Sequence, residues 1–165
     1  MSVINSNLVA SENRRYVTGT VISSGQKNQN GTTYLSKGFR DQGTQIPFLI
    51  EHKPNLPIGK IIRISVNGDR VLFTAEIMNS GQHPAAQDVW SRIVAQDISK
   101  VSVGAHFLQA PVNDLVVKLW AINEISVVGN PADQGALIEK VYEKLPYVSL
   151  RGPAEITHWE RGHPR

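Results

Sequence analysis

The sequence predicts a single β-rich α+β domain, on three observations. Short runs of β-branched and aromatic residues recur along the chain, clusters of turn-forming residues punctuate them, and only two stretches carry helical periodicity. At 165 residues the length suits one domain, and 41% hydrophobic with 19% charged residues is ordinary globular usage, enough to build a core without a stabilising metal. The expected organisation is a flexible arm over residues 1–14, a folded domain over 15–146 and a tail over 147–165.

Tyr16 to Ile22 is a β-branched run that reads as a strand, closed by the polar loop Ser23-Ser24-Gly25-Gln26 and Asn28-Gln29-Asn30-Gly31. Ile46-Pro47-Phe48-Leu49-Ile50 is a short apolar strand ending at Glu51-His52. The following Lys53-Pro54-Asn55-Leu56-Pro57 is expected to interrupt regular pairing, because its prolines lack backbone donors. Gly59–Val66 and Arg70–Met78 flank Asn67-Gly68-Asp69, a hairpin signal in which an Asn-Gly step supplies positive φ at both central positions.

Ser80-Gly81-Gln82-His83-Pro84 supplies a cap and an early proline. Ala86, Val89, Trp90, Ile93 and Val94 then repeat at helical spacing, predicting an amphipathic helix from Pro84 to Ala95. Val101–Leu108 and Leu115–Val128 return to strand around the turn at Pro111-Val112-Asn113-Asp114, which places Ser102 and Glu124 on neighbouring strands of a meander. Pro131-Ala132-Asp133-Gln134 is expected to open a second helix with Ala136, Leu137, Val141 and Leu145 on its buried side. Beyond Pro146 the pattern fails, and the tail from Arg151 to Arg165 is expected to be mobile or bound to something else.

Cysteine is absent, which excludes disulfides, thiolate metal sites and a cysteine nucleophile. The first residues lack the basic and apolar regions of a signal peptide, and no apolar run reaches the roughly 18 residues of a membrane span, so a soluble protein that stays where it is made is expected. The charge of +3 is modest and the basic residues are scattered, which gives nucleic-acid binding little support.

Three residues carry chemistry. A serine hydroxyl is a weak nucleophile near neutral pH and needs an imidazole to accept its proton, and the imidazole needs a carboxylate to hold its tautomer and stabilise its transient charge. Ser102, His52 and Glu124 are candidates for these roles, lying in Lys100-Val101-Ser102-Val103-Gly104, Ile50-Glu51-His52 and Asn123-Glu124-Ile125-Ser126-Val127-Val128-Gly129-Asn130-Pro131-Ala132. Each also has an ordinary role open to it: a turn histidine beside prolines, a strand serine bonded to a neighbour, a solvent-facing strand glutamate. Gly104 reads equally as a close-packing point, a bulge or part of an oxyanion pocket. Ser126 competes as nucleophile. His83 and His106 compete as bases, His106 sharing a face with Ser102 only if no bulge intervenes, while His158 and His163 lie in the tail.

The three segments in this order, with Pro47-Phe48-Leu49-Ile50 before the histidine, Pro57-Ile58-Gly59-Lys60 after it and Trp120 before the acid, resemble the prohead maturation protease family of tailed double-stranded-DNA phages over roughly residues 15 to 140. The resemblance implies a fold like that of herpesvirus assembly proteases: an antiparallel β-barrel core, closed or nearly so, wrapped by a few helices. It implies a serine endopeptidase with His52, Ser102 and Glu124 as the catalytic residues and no cofactor or metal. The herpesvirus relatives use a second histidine as third member, where this chain offers Glu124.

The implied substrates and partners are the phage scaffolding protein and the major capsid protein, cut inside the procapsid in the host bacterial cytoplasm, together with the enzyme itself. Self-association that completes a loosely held site is a further implication, as is self-cleavage in the tail. Two departures stand out. Few residues follow the second predicted helix, so scaffolding is expected from another chain, and Lys53 stands where an acidic residue is common, a change compatible with a neutral imidazole base. Two rivals remain: a catalytically silent relative acting as a structural or assembly component of the phage head, and a generic β-rich binding module. Retention of all three reactive residue types argues against the first, and the coincidence of three motifs against the second.

Overall fold

The computed structural model describes residues 14–23, 25–78, 83–113, 115–142 and 159–160. Ten strands form in chain order: β1 (Arg15–Ile22), β2 (Thr33–Tyr34), β3 (Ile46–Ile50), β4 (Lys53–Asn67), β5 (Arg70–Ile77), β6 (Val101–Phe107), β7 (Val116–Val117), β8 (Trp120–Val127), β9 (Leu137–Tyr142) and β10 (Trp159–Glu160). One α-helix, α1 (Pro84–Val94), and a 3₁₀ turn at Ser36–Gly38 complete the described elements. An eight-stranded sheet runs in the order β10-β9-β1-β5-β4-β3-β8-β6, and β2 pairs with β7 apart from it.

The sheet is mixed, because β3 and β8 run parallel while every other adjacent pair in it is antiparallel. It is also open: β6 and β10 are its ends. The approach to β6 nevertheless meets β9 through an isolated bridge between Lys100 and Leu137, flanked by bonds from Val101 N to the Ala136 carbonyl (3.2 Å) and from Ile138 N to the Ser99 carbonyl (2.9 Å). The Lys100 carbonyl in turn accepts from Val128 N (3.1 Å), which fastens the end of β8 at the same corner.

The hairpin between β4 and β5 forms at the anticipated place but one residue on. Asn67 pairs with Arg70, so Gly68 and Asp69 are the turn residues, and positive φ (64°) falls on Gly68 alone. β4 runs through both prolines, yet its ladder to β3 jumps from Leu49–Pro57 to Ile50–Lys53, which leaves 54–56 without partners in β3. Pairing is therefore interrupted where the prolines predict it, within a strand that continues.

The predicted helix over 84–95 is α1. His83 is its N-cap, its Nδ1 accepting from Ala86 N at 3.1 Å, and Ala86, Val89, Trp90 and Ile93 are its buried side. These residues join Val17, Val21, Phe48, Ile58, Val71, Phe73, Val101, Trp120, Ile125 and Val127 in one core. Burying each large apolar side chain stabilises the fold by about 1.5–3 kcal/mol before chain entropy is counted. Trp120 is the largest fully buried side chain among the described residues. Its indole N–H donates to the Leu35 carbonyl at 2.8 Å and its ring meets those of Tyr34 and Phe39, which fixes the segment before β3.

The second predicted helix does not form, so one α-helix rather than a few accompanies the sheet among the described residues. Residues 137–142 are strand β9, paired with β1. Ile138 and Val141 are both buried although three residues apart, a spacing that reads as helical. The cause is a β-bulge. The register with β1 passes from Lys140–Thr18 to Ile138–Gly19, Glu139 is the extra residue, and the bulge returns Ile138 and Val141 to one face. Residues 143–165 apart from 159–160, including the predicted helix end at Leu145, lie outside the described residues, as does the arm over 1–13. Residues 159–160 pair antiparallel with β9, Trp159 opposite Val141.

Candidate active site

Strand periodicity gathers the candidate residues on one face. In β8 Ile125 and Val127 point into the core, so Glu124 and Ser126 point the other way. In β6 Val101 and Val103 pack on the core, so Ser102 and Gly104 likewise face away from it. The β6–β8 register sets Ser102 opposite Ser126, a pairing that brings opposed Cβ atoms to about 5 Å, and Gly104 opposite Glu124. The parallel pairing of β3 with β8 sets Leu49 beside Ser126 and Ile50 beside Val127, delivering the turn after β3 to the same place.

That turn is Glu51-His52, the two residues joining β3 to β4 through the Ile50–Lys53 pair. Both have positive φ (49° and 59°). Neither is glycine, so the conformation costs about 1–2 kcal/mol per residue and must be held by its surroundings. Three hydrogen bonds hold it: Glu51 N to the Val127 carbonyl (2.9 Å), His52 N to Ser126 Oγ (3.0 Å), and Gly129 N to Glu51 Oε2 (2.8 Å).

His52 Nδ1 lies 2.5 Å from Glu124 Oε2. A carboxylate only accepts, so Nδ1 carries the proton and Nε2 of a neutral ring is left as an acceptor. The other carboxylate oxygen, Oε1, accepts from Ser126 Oγ at 2.6 Å. The Glu124 side chain is 15% exposed and that of His52 43%, so the acid is shielded while the ring stays accessible to a substrate. Gly104 makes room for this acid: a Cβ there would collide with Glu124 Oε2 and lie 2.7 Å from Cδ. The ladder also shifts register beside it, between Gly104 and Ala105, but the extra residue is Asn123 on β8, so the close-packing reading describes this glycine and the bulge lies in the facing strand.

Ser102 is 6% exposed, and with His52 it lines a cavity of about 280 Å³. The Ser102 hydroxyl is not hydrogen-bonded to His52 in this structure; such contacts are commonly loose without substrate and tighten when it binds. Gln26, Asn28, Gln29, Asn30, Thr32 and Asn130 give the cavity polar walls. Gln29 N donates to the Ala132 carbonyl (2.9 Å), and Asp133 accepts from Ser23 N (2.8 Å), Ser23 Oγ (2.5 Å) and Gly135 N (2.9 Å), so the two rim loops are fastened together. Tyr34 is also on the wall, and burial pushes its phenol pKa above the ordinary value.

The competing residues are otherwise occupied. His83 caps α1. His106 lies four residues along β6 from Ser102, about 13 Å at strand rise, and its Nδ1 is 2.6 Å from Asn123 Oδ1. Ser126 is fully buried with its hydroxyl committed twice. His158 and His163 lie outside the described residues. Sequence reasoning missed the supporting roles of Ser126 and Glu51. The signal for Ser126 was its spacing from Glu124, since residues two apart on a strand share a face. Among the described residues no cluster suits a metal ion, and no helix is long and apolar enough to cross a membrane.

An imidazole bonded to a shielded carboxylate, facing one cavity with a strand serine, presents the residue types that serine hydrolases use. A sequence-family model described as caudovirus prohead serine protease matches residues 28–149, and the chain belongs to that family. Solved structures similar to it include KSHV protease in complex with a hexapeptide phosphonate inhibitor (TM-score 0.47, 13% identity, covering 78% of this chain and 64% of that one). A second KSHV protease structure has a TM-score of 0.42 at 15% identity and covers 78% of this chain and 60% of that one. The chain thus spans less than two thirds of the length of these proteases. No curated protein has a significant sequence match to it.

Proposed function

We propose that this chain is a serine endopeptidase of phage head maturation, with residues 15–146 as its protease domain. The observation that carries the reading is the hydrogen bond to Glu124 from His52, which lines one cavity with Ser102. Ser102 Oγ attacks the scissile carbonyl carbon while His52 Nε2 takes its proton. The tetrahedral intermediate collapses, the C–N bond breaks, and His52 returns the proton to the leaving amine. Water then attacks the acyl-enzyme with His52 again as base, which releases the new carboxyl end and restores Ser102. Glu124 keeps Nδ1 protonated and balances the imidazolium charge.

Family membership favours the phage scaffolding protein and the major capsid protein as substrates and the procapsid interior, within the host bacterium, as the site of action. Cleavage of the chain itself belongs to the same reading. The Lys100–Leu137 bridge supports reading the open sheet as a barrel closed at that corner, as the resemblance implies. The rival reading is a catalytically silent relative acting as a structural component of the phage head.

Co-expression with the neighbouring capsid and scaffolding proteins, followed by intact mass measurement, separates the two. Defined fragments with the wild type and none with Ser102→Ala are expected. Uncut proteins in both, with particles still forming, would leave the structural role.

A further inference from the structure

We infer that Ser126 is a positioning residue: a single buried hydroxyl that fixes the acid and the base of the site relative to each other. The inference rests on the reading of Ser102, His52 and Glu124 as the catalytic residues. Ser126 has 0% exposure and cannot meet a substrate, so a role in the reaction must pass through its neighbours. Its Oγ donates to Glu124 Oε1 (2.6 Å) and accepts from the His52 backbone N–H (3.0 Å). A hydroxyl has one proton and two lone pairs, so these two bonds are compatible and set its rotor.

Both ends matter to the geometry. Glu124 meets His52 through Oε2 alone, and the terminal torsion of a glutamate is soft. The bond from Ser126 to the other oxygen stops the carboxylate turning away and, being charge-assisted, is stronger than a neutral one. At the other end, His52 sits at positive φ, and the bond from its N–H to Ser126 is one of three that hold the turn. The same hydroxyl therefore aims the carboxylate and places the backbone that carries the ring. Register explains how: Ser126 is two residues from Glu124 on β8 and beside Leu49, three residues before His52.

A serine that merely filled space would be replaced by alanine with a change in stability and none in the His52–Glu124 bond. The test uses Ser126→Ala, Ser126→Cys and Ser126→Thr. Cysteine keeps the volume but is a weak donor, so it carries the test if the alanine variant does not fold; threonine restores the hydroxyl. The first readout is the downfield proton signal of His52 Nδ1–H, recorded in a Ser102→Ala background and assigned by its loss in His52→Ala. It is expected in the parent, lost or exchange-broadened in the alanine and cysteine variants, and recovered in the threonine variant.

The second readout, with Ser102 intact, is cleavage kinetics. The alanine and cysteine variants are expected to lose about 100-fold in kcat with KM within about threefold, the loss that a 1 Å displacement of a reacting group brings, and threonine to recover most of it. An unchanged resonance and kcat in a folded Ser126→Ala or Ser126→Cys variant would overturn the positioning role while leaving the protease reading intact. Absence of the resonance from the Ser102→Ala parent would overturn both. Retention of the resonance pattern in a chain that cuts nothing would uphold the geometry and defeat the protease reading alone.

Discussion

Replacing Gly104 with alanine tests how tightly the site depends on the space beneath Glu124. Position 104 has no positive φ, so its backbone accepts alanine, and a methyl group in a strand is otherwise mildly favourable by about 0.5–1 kcal/mol. The new Cβ would lie 2.7 Å from Glu124 Cδ and 2.9 Å from Cγ. Ordinary contact between carbon atoms needs about 3.5 Å or more, so the carboxylate must retreat by about 1 Å. That carboxylate is held by His52 Nδ1 at 2.5 Å and by Ser126 Oγ at 2.6 Å. Lengthening either bond by about 1 Å takes it out of hydrogen-bonding range. A displacement of this size costs about 100-fold in rate, or about 2.7 kcal/mol of barrier. The assay is steady-state cleavage of a peptide spanning a junction that the wild type cuts in the co-expression, with thermal unfolding run beside it. Gly104→Ala is expected to fold within a few degrees of the parent, keep KM within about threefold and lose about 100-fold in kcat. Wild-type kcat in this variant would refute the dependence of the site on a fixed Glu124.

Three further outcomes follow from the same geometry. Glu124→Gln preserves the shape of the acid but removes its charge, so it is expected to lower kcat by about 10²–10⁴-fold while leaving activity above that of Ser102→Ala in the same peptide assay. The cavity beside Ser102 has amide and hydroxyl walls, no lysine or arginine among the described residues, and an Asp133 already receiving three bonds. Peptides with glutamine next to the scissile bond are therefore expected to exceed those with glutamate by about 10-fold in kcat/KM, because a buried unpaired charge is costly. Gly19 meets the β9 backbone where the bulge falls, and a Cβ there would collide with the Leu137 carbonyl. Gly19→Val is expected to cost about 2–3 kcal/mol, or roughly 5–10 °C in Tm by calorimetry, since overpacking against backbone has no flexible neighbour to yield.

The parts of this fold that follow from local pattern were legible. Ala86, Val89, Trp90 and Ile93 line up as a helix face because α1 is amphipathic, and Gly68 marks its hairpin because positive φ is cheap only there. Legibility failed where the long-range register decides. Ile138 and Val141 mimic a helical spacing because the bulge at Glu139 rephases a strand, and no window around residue 139 contains its partner, β1. The parallel pairing of β3 with β8 is equally invisible locally, since β4, β5, α1, β6 and β7 intervene; it is this pairing that brings His52 to Glu124. The three flanking motifs, in the order the family resemblance implies, nominated His52, Ser102 and Glu124. They did not nominate Ser126 as a support, because its value lies in a backbone N–H that only the folded turn presents.

The most direct test of the central claim is covalent. Particles purified from the co-expression are treated with a fluorophosphonate, and the modified peptide is sequenced by tandem mass spectrometry, in the wild type and in His52→Ala. One phosphonyl adduct is expected, on Ser102, abolished or strongly slowed in His52→Ala because the hydroxyl loses its base. An adduct on another serine, or cleavage of the capsid or scaffolding protein that continues in Ser102→Ala, would contradict it.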